Sequence, residues 1–497
     1  MNLKKNLIAN YLGVAWSALM GIVFLPFYLH FIGDEGYGLV GFFVMLSASL
    51  AVLDAGLGAV ATRESAAYIG ANNQRQHEIV KLLRSIEVLL FGIAFIIGLI
   101  VAFTAPLIVK YWLNVSNELI PSATLAVCWM GLTIAIQFPI SFYTGCLNGF
   151  QRQVSLNIVN IIGSTLRGGG AVLVLWLMSP SVQAYFAWQA IGAFMMLIAL
   201  RVLFFRCLNE AGSIFLFSFE SIKRVRHFLG GVGFINILAL LLTQLDKIIL
   251  SSVLPLAIFG YYSLAWMLGT LVYRLTGPVF STYYPRITQL FEEKNREVML
   301  STYKQACKIM SVAVVPISLW LALFSQDILN FWTKNPTLAK EASGALSVIA
   351  IGTMFNAFMH IPYALQLAHS YTRLTLVQNT IAVILLAPLT WFLATHYNLA
   401  AAALPWLIVN AGYLIIGAPL MHRYLAVPGL KEWYIGAIFG PIFFSGLTMG
   451  LINRIFVLFN LHDELIFTLP TTLFGGFCVA LLSMKIKILK KLLRFQL

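Results

Sequence analysis

The sequence has little charge for its length. Only 10% of its 497 residues are charged, whereas 60% are hydrophobic, and the mean hydropathy is +0.87. A soluble domain of this size needs more charge to cover its surface. The apolar stretches are long and continuous rather than short and alternating, which excludes an outer-membrane barrel. The composition therefore predicts an all-α protein that crosses a lipid bilayer many times.

Cysteine clusters and common catalytic motifs are also missing from the sequence. The five cysteines are scattered, and none forms a CxxC pair or a metal-ligand spacing. We therefore expect neither a disulfide framework nor a metal site. No HExxH, Walker A or Gly-rich dinucleotide motif occurs. Without a nucleotide-binding motif, a secondary transporter driven by an ion or substrate gradient is favoured over an ATP-driven pump.

Fourteen apolar segments are long enough to cross the membrane, because one span needs about 20 apolar residues. The first ends at Phe31-Ile32-Gly33-Asp34 without a small-residue cleavage signal, so we expect a retained helix and not a signal peptide. The predicted spans are 6–32, 37–62, 85–109, 119–146, 153–178, 182–205, 228–253, 257–283, 305–331, 342–369, 374–397, 399–422, 433–456 and 464–484.

Lysine and arginine are distributed asymmetrically between the predicted loops. Of the 32, 25 lie on the side of the N-terminus, four on the opposite side and three within spans. Cytoplasmic loops carry the excess of basic residues, which predicts that both termini are cytoplasmic. The net charge of +14 is thus explained by topology, and no nucleic-acid partner is expected.

A faint internal repeat suggests the organisation of the chain. Short turns that contain Tyr37-Gly38 and Phe259-Gly260 follow the first and seventh spans, with the two glycines 222 positions apart. An even number of spans between them predicts parallel repeats with a central cavity. We therefore predict two six-helix lobes, 1–210 and 211–426, followed by two further transmembrane helices and a basic cytoplasmic tail, 427–497.

The fifth span carries a polar stripe that is a candidate substrate-binding site. Gln153, Asn157, Asn160, Ser164 and Arg167 follow one another at spacings of 4, 3, 4 and 3, which puts them on one helical face. A charge inside a span needs a functional or structural reason. The favoured hypothesis is that Arg167 faces a hydrated cavity and grips a phosphate. The alternative is that the stripe packs against polar groups of a neighbouring helix.

The seventh span contains an adjacent acid and base, Asp246 and Lys247. Lys247 shares a face with Asn236 and Thr243 and would add positive charge to the cavity. Neighbouring residues point in different directions on a helix, so the two are not expected to pair with each other. Asp246 would contact another helix or titrate. Snorkelling towards the membrane surface is an equally good interpretation of both.

Three more polar residues within spans have open interpretations. Arg274 would either line the cavity or snorkel to the cytoplasmic face. Asp54 would either pair with an arginine such as Arg63 or act as a coupling carboxylate, and the structural role is favoured. His360 shares a face with Asn356 and would either relay protons or serve as a packing histidine, which is the commoner case.

Several motifs resemble those of the polysaccharide transporters in the multidrug/oligosaccharidyl-lipid/polysaccharide superfamily, and in particular Wzx-type O-antigen flippases. The motifs are loose, and the resemblance spans at least the first twelve helices. They are residues 6–11 (NLIANY), 33–38 (GDEGYG), 53–58 (LDAGLG), 244–251 (QLDKIILS), 259–265 (FGYYSLA) and 284–286 (YPR).

The resemblance implies a function and its site. Two lobes would alternate between inward-open and outward-open states and carry undecaprenyl pyrophosphate bearing an oligosaccharide across the bacterial inner membrane. Arg167, Arg274 and Lys247 would meet the pyrophosphate. A proton or sodium gradient would drive transport through Asp54 or Asp246, with no bound cofactor. We expect a monomer that associates with other membrane proteins of polysaccharide assembly.

Three alternatives remain at this point. Fourteen spans, where many O-antigen flippases have twelve, fit a peptidoglycan-precursor (lipid II) flippase, although a richer set of cavity arginines is expected there. A drug/cation antiporter needs an acidic, aromatic pocket, whereas the charges within these spans are mainly basic. A membrane glycan polymerase or ligase needs substantial outer loops, and the predicted outer loops are short.

Overall fold

The structure is a computed structural model that describes residues 3–54, 56–208, 218, 238, 240–458 and 465–483. These residues form helices joined by short connections, with no strand among them beyond an isolated bridge between Asn114 and Pro255. The chain divides into two compact units, Met1–Gly260 and Tyr261–Leu497. The predicted lobe boundary at 210/211 lies outside the described residues, so the predicted domain limits stay a prediction.

The first unit is built from nine helices among its described residues. Helix α1 packs on α7, α3 on α6, α4 on α5, and α8 on both α5 and α7. They are α1 (Leu3–Val23), α2 (Leu25–Leu50), α3 (Leu57–Ile69), α4 (Asn73–Leu107), α5 (Ile120–Gln137), α6 (Ile140–Gly149), α7 (Gln153–Leu177), α8 (Val182–Cys207) and α9 (240–253).

The second unit is centred on α12 and α14, and its last two helices, α20 and α21, pack on each other and on α12. The described helices that follow α9 are α10 (Leu256–Gly269), α11 (Tyr273–Glu292), α12 (Arg296–Leu323), α13 (Ser325–Thr333), α14 (Pro336–Phe358), α15 (His360–Ala368), α16 (Arg373–His396), α17 (Leu399–Gly412), α18 (Ala418–Tyr424), α19 (Leu430–Trp433), α20 (Gly440–Leu458) and α21 (Leu465–Ser483).

The predicted fold class is confirmed: the chain is an all-helical polytopic membrane protein. Within the described ranges, 11 helical stretches are long and apolar enough to cross a membrane. Shorter apolar helices at Leu12–Val23 and Thr468–Leu481, together with α9, coincide with three more of the predicted spans. Large apolar side chains such as Phe103 and Met178 remain 79% exposed, as expected of a surface that faces lipid.

Helix boundaries follow local signals in the sequence. At five helices the residue before the first turn accepts a hydrogen bond from the backbone N–H three residues on, at 3.0–3.3 Å. These side chains satisfy amide groups that the helix itself leaves unpaired. They are Asn72, Ser181, Asn295, Asn335 and Asn398.

The first predicted span is interrupted rather than continuous. Helix α1 ends at Val23 and α2 begins at Leu25, with Pro26 in its first turn, where a missing amide hydrogen costs nothing. The helical path is broken again at Gly33, whose φ of 70° favours glycine. This second break lies at the predicted turn between the first two spans.

Candidate functional site

Arg167 lies on α7 and forms a reciprocal pair with Gln189 of α8. The Arg167 Nε donates to Gln189 Oε1 at 2.9 Å, and Gln189 Nε2 donates to the backbone carbonyl of Arg167 at 3.3 Å. Gln189 is 95% buried, being only 5% exposed, so its amide is held in place by packing. The guanidinium is therefore oriented by a neutral partner before any ligand arrives.

An aromatic frame fixes the backbone of α7 around Arg167. The Tyr28 hydroxyl donates to the carbonyl of Gly168 at 2.9 Å, and Trp188 Nε1 donates to that of Leu166 at 3.0 Å. The rings of Tyr28 and Tyr185 meet edge to face at 5.0 Å. Because these aromatic residues belong to α2 and α8, three helices define the position of the arginine.

The charge of Arg167 is uncompensated within the described part of the chain. No carboxylate there lies within ion-pair distance of it, and its two terminal nitrogens form no hydrogen bond with a described residue. An arginine remains protonated in proteins. The arrangement can therefore offer two parallel N–H donors to an anion that needs bidentate binding.

The rest of the predicted stripe has different neighbours. Asn157 is buried, and its Nδ2 donates to Asn10 Oδ1 of α1 at 2.6 Å, which ties α1 to α7. Ser164 donates to the carbonyl of Ile161 in its own helix at 3.0 Å. Asn160 is partly buried and bonds to none of the described residues. The alternative of packing against a neighbouring helix thus holds for Asn157, while substrate contact stays a prediction for all three.

The expectation that Asp246 and Lys247 do not pair is wrong. Lys247 Nζ lies 3.0 and 3.2 Å from the two carboxylate oxygens of Asp246 and 2.6 Å from the carbonyl of Thr243. The lysine chain is long enough to curl back, and both groups are buried, where separated charges are costly. As a pair they are neutral, so Lys247 adds no net charge there. Asn236 lies outside the described residues.

The predicted residues of the second unit lie around the start of α11. Arg274 is exposed, and its guanidinium bonds to no described residue. Next to it, the Tyr273 hydroxyl donates to Asn356 Oδ1 at 3.0 Å, and Asn356 Nδ2 donates to Asn410 Oδ1 at 2.7 Å. His360 stacks on Tyr273 with ring centroids 5.8 Å apart. The structure thus gives His360 a packing role. Proton relay by His360 and the lining of a cavity by Arg274 stay predictions.

Asp54 does not pair with Arg63 as one hypothesis had it. Arg63 Nη2 lies 2.6 Å from Glu64 Oε1 instead, and no described cation lies within ion-pair distance of Asp54. The carboxylate ends a short 3-10 turn, Ala51–Asp54, and its Oδ2 is directed towards Gly58 and Ser141. It borders a cavity of about 200 Å³ between α2, α5 and α6.

An ion cluster centred on the buried pair of Arg84 and Glu87 was missed by the sequence analysis. Glu87 of α4 accepts hydrogen bonds from Arg84, from Arg201 Nε at 3.0 Å and from the Tyr143 hydroxyl at 2.5 Å. Both guanidinium groups also lie over the ring of Phe205. Both arginines are among the 25 basic residues that the sequence analysis predicts on the side of the N-terminus. The i,i+3 spacing of Arg84 and Glu87 was the signal that could have found the pair.

A family model described as polysaccharide biosynthesis protein matches residues 3–291. The chain belongs to the polysaccharide biosynthesis protein family. A second model, described as MatE, matches residues 232–392. The curated relative named "Putative O-antigen transporter", from Shigella flexneri, is 23% identical over 412 residues, which is 82% of this chain and 95% of that protein.

Solved structures with the same fold include two kinds of transporter. One is described as lipid II flippase MurJ in an inward closed conformation: its TM-score is 0.70 at 16% identity, over 98% of this family member and 99% of that chain. Another is an inward-facing multidrug resistance MATE family transporter of the MOP superfamily, with a TM-score of 0.64 at 14% identity, over 84% and 96%. These likenesses show the fold, and the resemblance inferred from the motifs is confirmed. All the relatives named here are transporters or flippases, which supports a transporter role.

Proposed function

We propose that this polysaccharide biosynthesis protein is a flippase for an undecaprenyl-pyrophosphate-linked oligosaccharide, an O-antigen or related repeat unit. It moves the headgroup from the cytoplasmic to the outer leaflet of the inner membrane by alternating access, with both termini cytoplasmic. The observation that carries the proposal is Arg167, a permanently charged group within a span that is positioned by Gln189 and left without a described counter-charge.

The headgroup explains why such a residue is useful. A pyrophosphate bearing sugars cannot cross hydrocarbon unaided, since its charges and hydroxyls would lose their hydration. A hydrated cavity replaces that solvation while the polyprenyl tail stays in lipid. With Nε committed to Gln189, the terminal nitrogens of Arg167 remain for two oxygens of one phosphate.

A small number of cations suits a carrier better than a dense cluster, because the headgroup must leave the site after the conformational change. Arg274 is exposed and is proposed as a second phosphate contact. Lys247 is already paired with Asp246, so its proposed contribution is weaker. Transport is proposed to be secondary and driven by a proton or sodium gradient, with Asp54, Asp246 and His360 as coupling candidates.

The test uses purified protein in liposomes that hold a polyprenyl-pyrophosphate oligosaccharide on one leaflet. A membrane-impermeant sugar-modifying enzyme reports its arrival on the other leaflet. We expect transfer by the parent and at least a tenfold lower rate for Arg167→Ala. The matched control is Arg423→Ala, an exposed arginine whose side chain has no described partner.

Each result has a defined meaning. Equal rates for the parent and Arg167→Ala would keep the function and reject the site. No transfer of the oligosaccharide lipid by the parent, with and without an imposed proton or sodium gradient, would reject the function. Lipid II and a fluorescent cationic drug, assayed in the same liposomes, then distinguish the two alternatives within the superfamily.

A further inference from the structure

The outer turn of the second repeat is packed into the first unit. The repeat that aligns Gly38 with Gly260 assigns the turn between α9 and α10, residues 254–256, to the predicted second lobe. In the structure this turn nevertheless lies in the first compact unit, Met1–Gly260. Leu256 at its end is only 2% exposed. The turn, which the predicted topology places on the outer side, is therefore held by residues of the first repeat.

Asn114, in the connection between α4 and α5, binds this turn. Its Nδ2 donates to the backbone carbonyls of Ser252 at 3.1 Å and of Leu254 at 3.3 Å. Its own backbone carbonyl accepts a hydrogen bond from the amide of Leu256 at 3.1 Å. One residue of the first repeat thus bonds to the backbone of the second repeat on both sides of the turn.

Trp112, two residues earlier, adds a contact to the end of α9. Its Nε1 donates to Ser251 Oγ at 2.9 Å, and its ring meets that of Phe42 on α2 edge to face, with centroids 6.4 Å apart. Ser251 is only 1% exposed. Separation of α9 from the connection would remove the indole from one side of this serine and open it to solvent.

The corresponding connection of the second repeat uses its asparagine differently. Trp332 and Asn335, between α13 and α14, follow Trp112 and Asn114 by 220 and 221 positions. Asn335 Oδ1 accepts from the backbone N–H of Leu338 at 3.1 Å and so caps α14, which is a common role for asparagine. Asn114 caps no helix, and its side-chain amide is bonded to the other repeat instead. This departure from the repeat points to a role of Asn114 beyond helix capping.

The contact has the properties of an interface that can open. Asn114 and Trp112 are both exposed, so water can replace their hydrogen bonds when the two surfaces separate. Exchange of a hydrogen bond within a protein for one to water changes the free energy little. The contact can therefore break and form again within a transport cycle, while several bonds together keep it closed at rest.

We propose that Asn114 is the latch of a gate on the outer side of the protein, an inference that rests on the alternating access of the proposed function. In the present state the latch holds the turn between α9 and α10 against the connection between α4 and α5. In the outward-open state the four hydrogen bonds of Asn114 and Trp112 break, and the turn moves away from the connection. The headgroup then leaves on the outer side.

Opening of the gate is tested first, without any transport. Ser251→Cys, in a variant that lacks the five native cysteines, is labelled with a maleimide in lipid nanodiscs, where both faces are accessible. The labelling rate reports the open fraction, since the position is buried while the gate is closed. We expect Asn114→Ala to raise this rate at least fivefold. The matched control is Asn117→Ala, because this asparagine of the same connection bonds through its side chain to no described residue. Thermal unfolding of each variant shows whether it is folded.

A covalent lock then tests the gate in transport. Asn114 and Pro255 form a backbone bridge. Neighbouring strands lie about 4.8 Å apart, which is within the Cα separation of about 4.4–6.8 Å that a disulfide needs. In the background without native cysteines, oxidation of the double variant Asn114→Cys/Pro255→Cys should slow transfer of the oligosaccharide lipid at least tenfold, and reduction should restore it. Each single cysteine variant, treated with the same oxidant, should keep its rate.

The two experiments separate the gate from the proposed function. If Asn114→Ala raises labelling but the parent transfers no lipid, the function fails and the gate stands. An unchanged labelling rate for Asn114→Ala, or an equal rise for Asn117→Ala, would overturn the latch whether or not lipid moves. An oxidised double variant that transfers lipid at the parent rate would overturn the gate and leave the function. A cysteine pair that cannot be oxidised would contradict the closed contact itself.

Discussion

Gly38 and Gly260, the two glycines that the internal repeat aligns, lie against each other backbone to backbone. A Cβ added to Gly260 would lie 2.9 Å from the Gly38 amide nitrogen and 3.0 Å from its Cα. A Cβ on Gly38 would in turn meet Leu256, 2.7 Å from its Cγ. Real Cβ atoms essentially never come within 3.0 Å of another heavy atom, so the close approach of residues 38 and 260, both in the first unit, requires glycine.

We therefore expect Gly260→Ala to destabilise the protein. Because the obstacle is backbone rather than a flexible side chain, the overpacking should cost about 1–3 kcal/mol. Thermal unfolding in a defined detergent measures the change. Gly92→Ala is the matched control, since nothing lies within 4 Å of its added Cβ. An unchanged melting temperature for Gly260→Ala would contradict the close packing.

Gln189→Glu should neutralise the charge of the Arg167 site, and it also removes the amide donor that Gln189 offers to the Arg167 carbonyl. The new carboxylate would occupy the place of the amide oxygen, 2.9 Å from Nε, and neutralise the guanidinium. We expect a fall of at least tenfold in transfer of the oligosaccharide lipid, and thermal unfolding shows whether each variant remains folded. Gln189→Leu, which removes the positioning bond and keeps the charge, should have a smaller effect on transfer. A larger fall in transfer for Gln189→Leu than for Gln189→Glu would mean that the position of the guanidinium matters more than its charge.

Removing the charge of Glu87 should be strongly destabilising. Glu87→Gln leaves the buried Arg84 without its carboxylate, and breaking a buried ion pair typically costs about 3–5 kcal/mol. Glu64→Gln is the comparison, because the Arg63 side chain of that pair is 60% exposed and such pairs contribute at most about 1 kcal/mol. Chemical denaturation should show a clearly larger loss in the free energy of unfolding for Glu87→Gln than for Glu64→Gln. Equal losses would contradict the burial of the cluster.

A double-mutant cycle can measure the coupling between Asp246 and Lys247. Asp246→Asn or Lys247→Met alone leaves a buried charge, whereas the double variant removes both. We expect the double variant to be more stable than either single variant, with an interaction energy of about 0.5–3 kcal/mol. Additive losses in thermal unfolding would mean that the two side chains do not act as a pair.

The predicted topology can be tested with single cysteines in a variant that lacks the five native ones. A cysteine at Lys334 should react with an impermeant maleimide added to intact cells, because that loop is predicted to lie outside. A cysteine at Lys294 should react only after the membrane is permeabilised. Labelling in the opposite order would invert the orientation and the proposed direction of transport.

Much of the fold was predictable because a continuous apolar stretch is sufficient to define a span. The stretches alone placed α7 and α8, for example, within two residues at each end. The interruption at Phe24 was missed because the residues around it are as apolar as a continuous helix requires. Pro26 was the local signal, since proline is favoured in a first helical turn.

Less of the candidate site could be predicted, because periodicity gives a face but not its neighbour. Asn157 and Arg167 share a face of α7, yet one bonds to α1 and the other to α8. Their partners, Asn10 and Gln189, are far away in sequence and depend on tertiary packing. The pairing of Lys247 failed for another reason: helical geometry describes the direction of Cβ and not the reach of a four-carbon chain.

The neutral partner of Arg167 has an electrical consequence for the proposed cycle. A full elementary charge that crosses the membrane potential changes in energy by about 2.3 kcal/mol per 100 mV. With the site empty, the charge of Arg167 favours the state in which it lies nearer the negative cytoplasm. A bound pyrophosphate with about two negative charges reverses the sign of the site, and the same field then favours its outward passage. A carboxylate in the place of Gln189 would neutralise the empty site and remove its preference for the cytoplasmic side. With an amide at that position, the membrane potential favours both the return of the empty site and the export of the loaded one.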